Sequence, residues 1–281
     1  MATVGDDFSA YADRLDGLGI SRECIHHTPG TYTAQAFITT DLGDNQITAF
    51  HPGAMNFSHQ NDAGKAPNIG LGIVSPDGRD GMLNHCAQFH AAGIPFVFDP
   101  GQGMPLFSGE ELLQMVDQAD YVTLNDYEAE LLMTRTGQTL DALAARVKCL
   151  IVTRGEAGSR FHVDGKVIEI PVVAAAQVLD PTGCGDAYRA GLLYGIAHAY
   201  DWETTGQLAS VMGRSRSNIA AGRTTGRAAS RLHSACKPRS AKPCKASSCG
   251  NPAVIGLSSG LPMLRAFFVQ ERAMSTAPSL D

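Results

Sequence analysis

No apolar run in the 281-residue chain is long enough to span a membrane, and Met1-Ala-Thr-Val-Gly-Asp6 lacks the basic start and apolar stretch of a secretory signal. The expectation is therefore a cytoplasmic protein without a membrane partner. The seven cysteines include no C-x-x-C, and the nine histidines include no helically spaced pair with a nearby glutamate. Zinc-ligand spacing is thus missing, and no structural zinc is expected. Charged residues make up only 18% of the chain and hydrophobic residues 44%, as in ordinary globular proteins. The length leaves room for one large domain or two.

Charge is unevenly placed. Residues 1–213 carry 11 Lys/Arg against 26 Asp/Glu, whereas residues 214–281 carry 11 against 2. Three of the seven cysteines, Cys236, Cys244 and Cys249, also lie in the second part. An acidic globular body over 1–213 is followed by a compositionally foreign basic tail. A nucleic-acid-binding arm is one reading of that tail, but it has no aromatic interleaving and no recognisable module, so no nucleic-acid partner is expected.

Along the body, apolar residues at helical spacing run from Phe8 to Leu18, and a short extended piece covers Cys24–His27. Thr31–Thr40 and Gln46–Phe50 are β-rich and flank Gly43-Asp44-Asn45, a hairpin signal. From Ile69 onward strands and helices alternate. Strands are expected at Leu71–Val74, Pro95–Phe98, Tyr121–Leu124 and Cys149–Thr153, with helices at Gly78–Ala92, Glu110–Ala119 and Asp126–Arg135. Ser159–Val163 and Val167–Ile170 should pair across Asp164-Gly165. Such alternation argues for an α/β protein whose mostly parallel sheet is covered on both faces. Ligands then sit beyond the carboxyl ends of the strands, where Asp99, Asn125, Thr153 and Asp180 fall.

The stretch Asp180-Pro-Thr-Gly-Cys-Gly-Asp186 turns tightly into an Ala/Leu-rich helical run. Small residues at Gly183, Cys184 and Gly185 let backbone N–H groups converge where the helix begins, which suits an anion such as phosphate. Asp186 would repel that anion, yet it is well placed to take a proton from an attacking hydroxyl. The plainer alternative is a Gly-rich turn with Asp186 as an N-terminal cap. Asn125 and Glu128 stand one helical turn apart at the top of a strand, so they either support Mg²⁺ through waters or simply cap a helix. Thr153-Arg154-Gly155-Glu156-Ala157-Gly158-Ser159 is either an ordinary strand-turn-strand or a turn that lets backbone approach a nucleotide. Asp99-Pro100-Gly101-Gln102 is equally a plain turn or the end of a strand near a substrate.

Together, Asp180-x-Thr-Gly-Cys-Gly-Asp186 with Ala187-Tyr-x-Ala-Gly191, Asn125-x-x-Glu128 and Thr153-Arg-Gly-x-x-Gly-Ser159 resemble the PfkB (ribokinase-like) carbohydrate and nucleoside kinases, most closely their bacterial adenosine-kinase-like members. The three motifs fall within residues 125–200, and the likeness extends more loosely over 1–213. It implies a three-layer α/β/α sandwich with a small β-lid at about residues 28–55. It also implies transfer of the ATP γ-phosphoryl group to a hydroxyl of a sugar or nucleoside. In that family Asp186 corresponds to the catalytic base and Gly183, Cys184 and Gly185 to the anion hole. Asn125 and Glu128 support Mg²⁺, and Thr153, Arg154, Gly155 and Gly158 border the nucleotide. A monovalent cation such as K⁺ lies near the counterpart of Asp180. A homodimer is compatible with the likeness. Cys184 replaces a common Ala. The usual first βαβ unit, with its substrate-gripping Asp and Gly-Gly segment, finds no match before Thr3-Val4-Gly5. From Gly213 the chain also departs from the family. One set of codons for residues 214–225, regrouped by a single base, encodes ALKIEHRGGQNH, which would continue a helix into a Gly-Gly turn, so an out-of-frame tail is the expectation. A non-catalytic remnant, or a weak nucleotide- or sugar-binding protein of the same fold, is the alternative to an active kinase.

Overall fold

The computed structural model describes residues 1–40, 46–173 and 183–217. The predicted turn at Gly43-Asp44-Asn45, Asp180, and the tail from residue 218 onward lie outside the described residues. The chain begins with β1 (Ala2–Val4), α1 (Ser9–Gly17) and β2 (Ile25–His27), and β1 and β2 form a small parallel pair. Next come β3 (Gln35–Thr40) and β4 (Gln46–His51), an antiparallel pair in register from Gln35 opposite His51 to Thr40 opposite Gln46. β3 begins later than the sequence suggests because Asp7 holds the residues before it. The Asp7 carboxylate accepts from the backbone N–H of Thr33 (2.7 Å), from the Thr33 hydroxyl (2.8 Å) and from Gln35 Nε2 (3.0 Å). Partial burial works against charge on Asp7, yet these donors hold its pKa below the ordinary value. Phe37, Ile38, Ile47 and Phe50 are exposed on this hairpin, as expected of an apolar flap that stands clear of the main sheet.

The main sheet is built from β5 (Gly72–Val74), β6 (Phe96–Phe98), β7 (Tyr121–Asn125), β8 (Cys149–Thr153), β9 (Ser159–Val163) and β10 (Lys166–Ile170). Its order is β10-β9-β8-β7-β6-β5; the four strands from β5 to β8 are parallel and the last two join antiparallel. Between them run α2 (Arg79–Ala91), α3 (Gly109–Gln118), α4 (Asp126–Thr136) and α5 (Leu140–Ala144), and after them α6 (Cys184–Ala197) and α7 (Trp202–Ser217). For the sheet strands β5–β10 and helices α2–α4 the boundaries match the periodicity to within two residues, whereas the short α5 and the helix α7 went unforeseen.

β8 shows why both faces need a cover. Leu150 and Val152 pack with α2–α5 residues such as Met82, Leu112, Leu132 and Leu143. Cys149 and Ile151 point the other way, toward Leu192 of α6 and Ala209 of α7. Successive strand residues face opposite sides, so this nearly all-apolar strand is buried twice over. Burying each large side chain is worth about 1.5–3 kcal/mol, which fixes the register. Two helical layers around one sheet, with a separate β-flap, is the architecture expected from the sequence.

Before α2, Asp77 lies against the 3₁₀ segment Gly53–Gln60. Burial pushes its carboxyl up to about 6, although the Gly78 N–H (2.8 Å) and Ser58 partly offset this. A raised carboxyl pKa means the folded chain holds the proton more tightly than the unfolded one. Stability therefore falls as pH rises from about 4 through about 6, by roughly 2–3 kcal/mol in all. Asp77→Asn keeps an acceptor for Gly78 and removes the titration. Urea denaturation should show the variant more stable than the parent at pH 8 and no more stable at pH 4; parallel pH curves would contradict this.

Candidate active site

Asp99 immediately follows β6, Asn125 closes β7 and Thr153 closes β8. Asn125 and Thr153 are direct neighbours in the register, so these strand ends form one edge. Asn125 caps α4, its Oδ1 accepting from the Glu128 N–H at 2.7 Å while Glu128 Oε2 accepts from the Asn125 N–H at 2.7 Å. The cap is present, as the plainer sequence reading had it, but Glu128 is buried rather than solvated. Burial raises its pKa, offset in part by the Asn125 N–H and by Arg189.

α6 starts at this edge. Gly183 takes the left-handed conformation (φ 76°) just ahead of Cys184, and Gly185 and Asp186 lie in the first turn. The first four N–H groups of a helix have no partner within the helix, and the helix dipole adds positive potential at its start. One turn after Asp186 stands Arg189, which sequence reasoning passed over. Its guanidinium pairs with Asp99 through Nε and through Nη2, the latter at 2.7 Å from Oδ1, and Nη2 stands 3.9 Å from Glu128 Oε2. Asp99 is itself buried, and burial raises its pKa while Arg189 opposes that shift. Burial also works against the charge on Arg189, but Asp99, Glu128 and Asp186 hold its pKa above the ordinary value. One arginine thus joins β6, α4 and the helix that carries Asp186. Its only sequence signal is its spacing of three from Asp186, too common in helices to stand out.

Arg154, Gly155 and Gly158 form the turn between β8 and β9. Tyr188 of α6 donates to Ser159 Oγ at 2.7 Å, which ties this turn to the helix of Asp186. The Arg154 side chain is engaged inside the hairpin, donating to Glu169 Oε2 (2.5 Å) and to the Ala157 carbonyl (3.0 Å). Thr153 Oγ1 donates to the Leu124 carbonyl at 3.2 Å. A cavity of about 300 Å³ lies elsewhere, between β1, α1 and β2, where Asp6 and His27 pair at 2.8 Å. None of the residues singled out from the motifs lines it.

A profile of the pfkB family carbohydrate kinases matches residues 1–215. The chain belongs to the pfkB family. A nucleoside kinase from Burkholderia thailandensis, solved in complex with inosine, is 53% identical and superimposes with a TM-score of 0.76, covering 78% of this chain and 73% of that one. The nucleoside kinase of Methanocaldococcus jannaschii is 36% identical over 209 residues, 73% of this chain and 68% of its own length. The adenosine kinase of Sinorhizobium meliloti, at 21% identity and a TM-score of 0.68 over 84% of this chain and 77% of its own, shares the fold. The fold is thus ribokinase-like, and the chain is a carbohydrate or nucleoside kinase by family. Among the described residues no helix is long and apolar enough to cross a membrane, and no group of three or more His, Cys, Asp or Glu side chains could hold a metal ion by itself.

The family's use of ATP with a metal ion can be tested against the donors present. Glu128 presents a carboxylate whose Oε2 is committed to Asn125 and whose Oε1 makes no hydrogen bond among the described residues. A hard, well-hydrated cation that keeps its waters suits such a single oxygen donor better than a full cage. The residues therefore fit a water-mediated Mg²⁺.

Proposed function

We propose that the chain moves the γ-phosphoryl group of ATP onto the 5′-hydroxyl of a purine nucleoside such as inosine or adenosine. The observation that carries this is the junction of Asp186, the glycine turn before it and the strand-end groups Asp99 and Glu128, tied together by Arg189. A base and an anion site on one helix start are what an in-line attack on phosphorus needs.

Asp186 takes the proton of the acceptor hydroxyl as its oxygen bonds to the γ-phosphorus. The bond from that phosphorus to the β,γ-bridging oxygen breaks, and ADP leaves. N–H groups of Gly183, Cys184 and Gly185 donate to the oxygens that gain charge. Bound Mg²⁺ would neutralise phosphate charge at this end, with Asn125 and Glu128 holding its waters. Thr153, Gly155 and Gly158, with the Arg154 backbone, border the nucleotide. The nucleoside assignment draws support from the similarity to nucleoside kinases, one of them solved with inosine.

The test is a coupled assay of ADP formation with inosine, adenosine and ribose as acceptors, with nucleoside 5′-monophosphate detected directly. Monophosphate should appear with the nucleosides and far less product with ribose. A folded chain that binds a nucleoside yet forms no ADP would instead be a binding protein.

A further inference from the structure

The Arg189 side chain is only 15% exposed, and its Nε/Nη2 edge is taken by Asp99. The other terminal nitrogen, Nη1, makes no hydrogen bond among the described residues. It lies against the anion-site turn: a methyl group placed on Gly185 would come within 2.9 Å of it. The geometry follows from the helix, because residue 189 is four positions after 185 and long helical side chains lean toward the N-terminus. Gly185 has no side chain, so nothing on it covers that nitrogen.

Charge points the same way. Asp99, Glu128 and Asp186 all act on Arg189. Three carboxylates alone would repel a polyphosphate strongly, and Arg189 is the cation set among them. If its task were only to neutralise Asp99, a bidentate pair would suffice, and the free edge would not need to meet the glycine turn.

We propose that Arg189 is a substrate-binding residue for the phosphate end of the site, held by Asp99 on one edge and donating from Nη1 to the polyphosphate of the bound nucleotide. Arginine suits this double duty because its planar fork presents two separate edges. The turnover part of this inference rests on the kinase reading above; the binding part does not.

The test compares wild type, the double variant Asp99→Asn/Arg189→Met, and Arg189→Lys. Removing both members of a buried ion pair is far milder than removing one, so the double variant should fold, as its thermal midpoint will report. Lysine can still pair with Asp99 but has no second edge to offer. Calorimetric titration with a non-hydrolysable ATP analogue and Mg²⁺ should show affinity lowered about 10- to 100-fold in both variants. Titration with nucleoside alone should change little, and kcat should fall more than the nucleoside KM rises. Unchanged analogue affinity in either folded variant would make Arg189 a structural ion pair and overturn the proposal. A wild-type chain that phosphorylates no acceptor would reject the kinase reading, while the analogue titration still decides the role of Arg189.

Discussion

Asp186→Asn should fold, bind nucleoside and nucleotide, and turn over about 10²–10⁴-fold more slowly than wild type, the usual worth of a positioned general base. Asparagine has the same shape but cannot take the hydroxyl proton. Its effect on the fold should be small, because loss of one negative charge in the first turn of α6 costs only about 0.3–1 kcal/mol through the helix dipole. Stability and chemistry can therefore be separated. Steady-state kinetics beside a thermal melt decides the matter: a fall in kcat with an unchanged melt supports Asp186 as the base. Turnover near that of wild type would place the proton transfer elsewhere.

Gly158→Ala should cost about 2–5 kcal/mol of stability, the sum of backbone strain and overpacking. Gly158 has φ 80° and ψ −141°, a region reserved in practice for glycine. A Cβ there would also lie 2.1 Å from the carbonyl oxygen of Ile170 and 3.0 Å from the N of Val172, both backbone atoms that cannot step aside as a side chain would. The sequence reading gave Gly158 a place beside the nucleotide. The structure adds a reason internal to the hairpin, since the Arg154 N–H donates to the Gly158 carbonyl at 2.8 Å and closes the turn. Chemical denaturation of the variant measures the loss; a midpoint equal to that of the parent would mean the strand pair can shift to admit a methyl group.

Strand and helix order could be read from the chain because β6, β7 and β8 are short apolar runs set between helices with clear starts. Ser108 and Asn125 open such helices, each with a reciprocal capping box to a glutamate three residues on. The strand ends followed, and with them the edge where Asn125 pairs with Thr153 and Asp99 follows β6. The pairing of Asp99 with Arg189 could not be read, because it links residues 90 positions apart through side chains, and periodicity carries no such information. The Asp7 anchorage of Thr33 and Gln35 escaped for the same reason, and β3 was consequently begun too early. Asn125 and Glu128 posed a different difficulty. Their spacing suits a helix cap as well as a metal-side pair, and it carries no sign that Glu128 is buried beside Arg189 rather than solvated.

The most direct measurement is a crystal structure of the chain with nucleoside, Mg²⁺ and a non-hydrolysable ATP analogue. The expected result has the terminal phosphate accepting from the N–H groups of Gly183–Gly185 and the Asp186 carboxylate within hydrogen-bond reach of the acceptor hydroxyl. An analogue seated away from the start of α6, or an acceptor hydroxyl directed away from Asp186, would contradict the assignment.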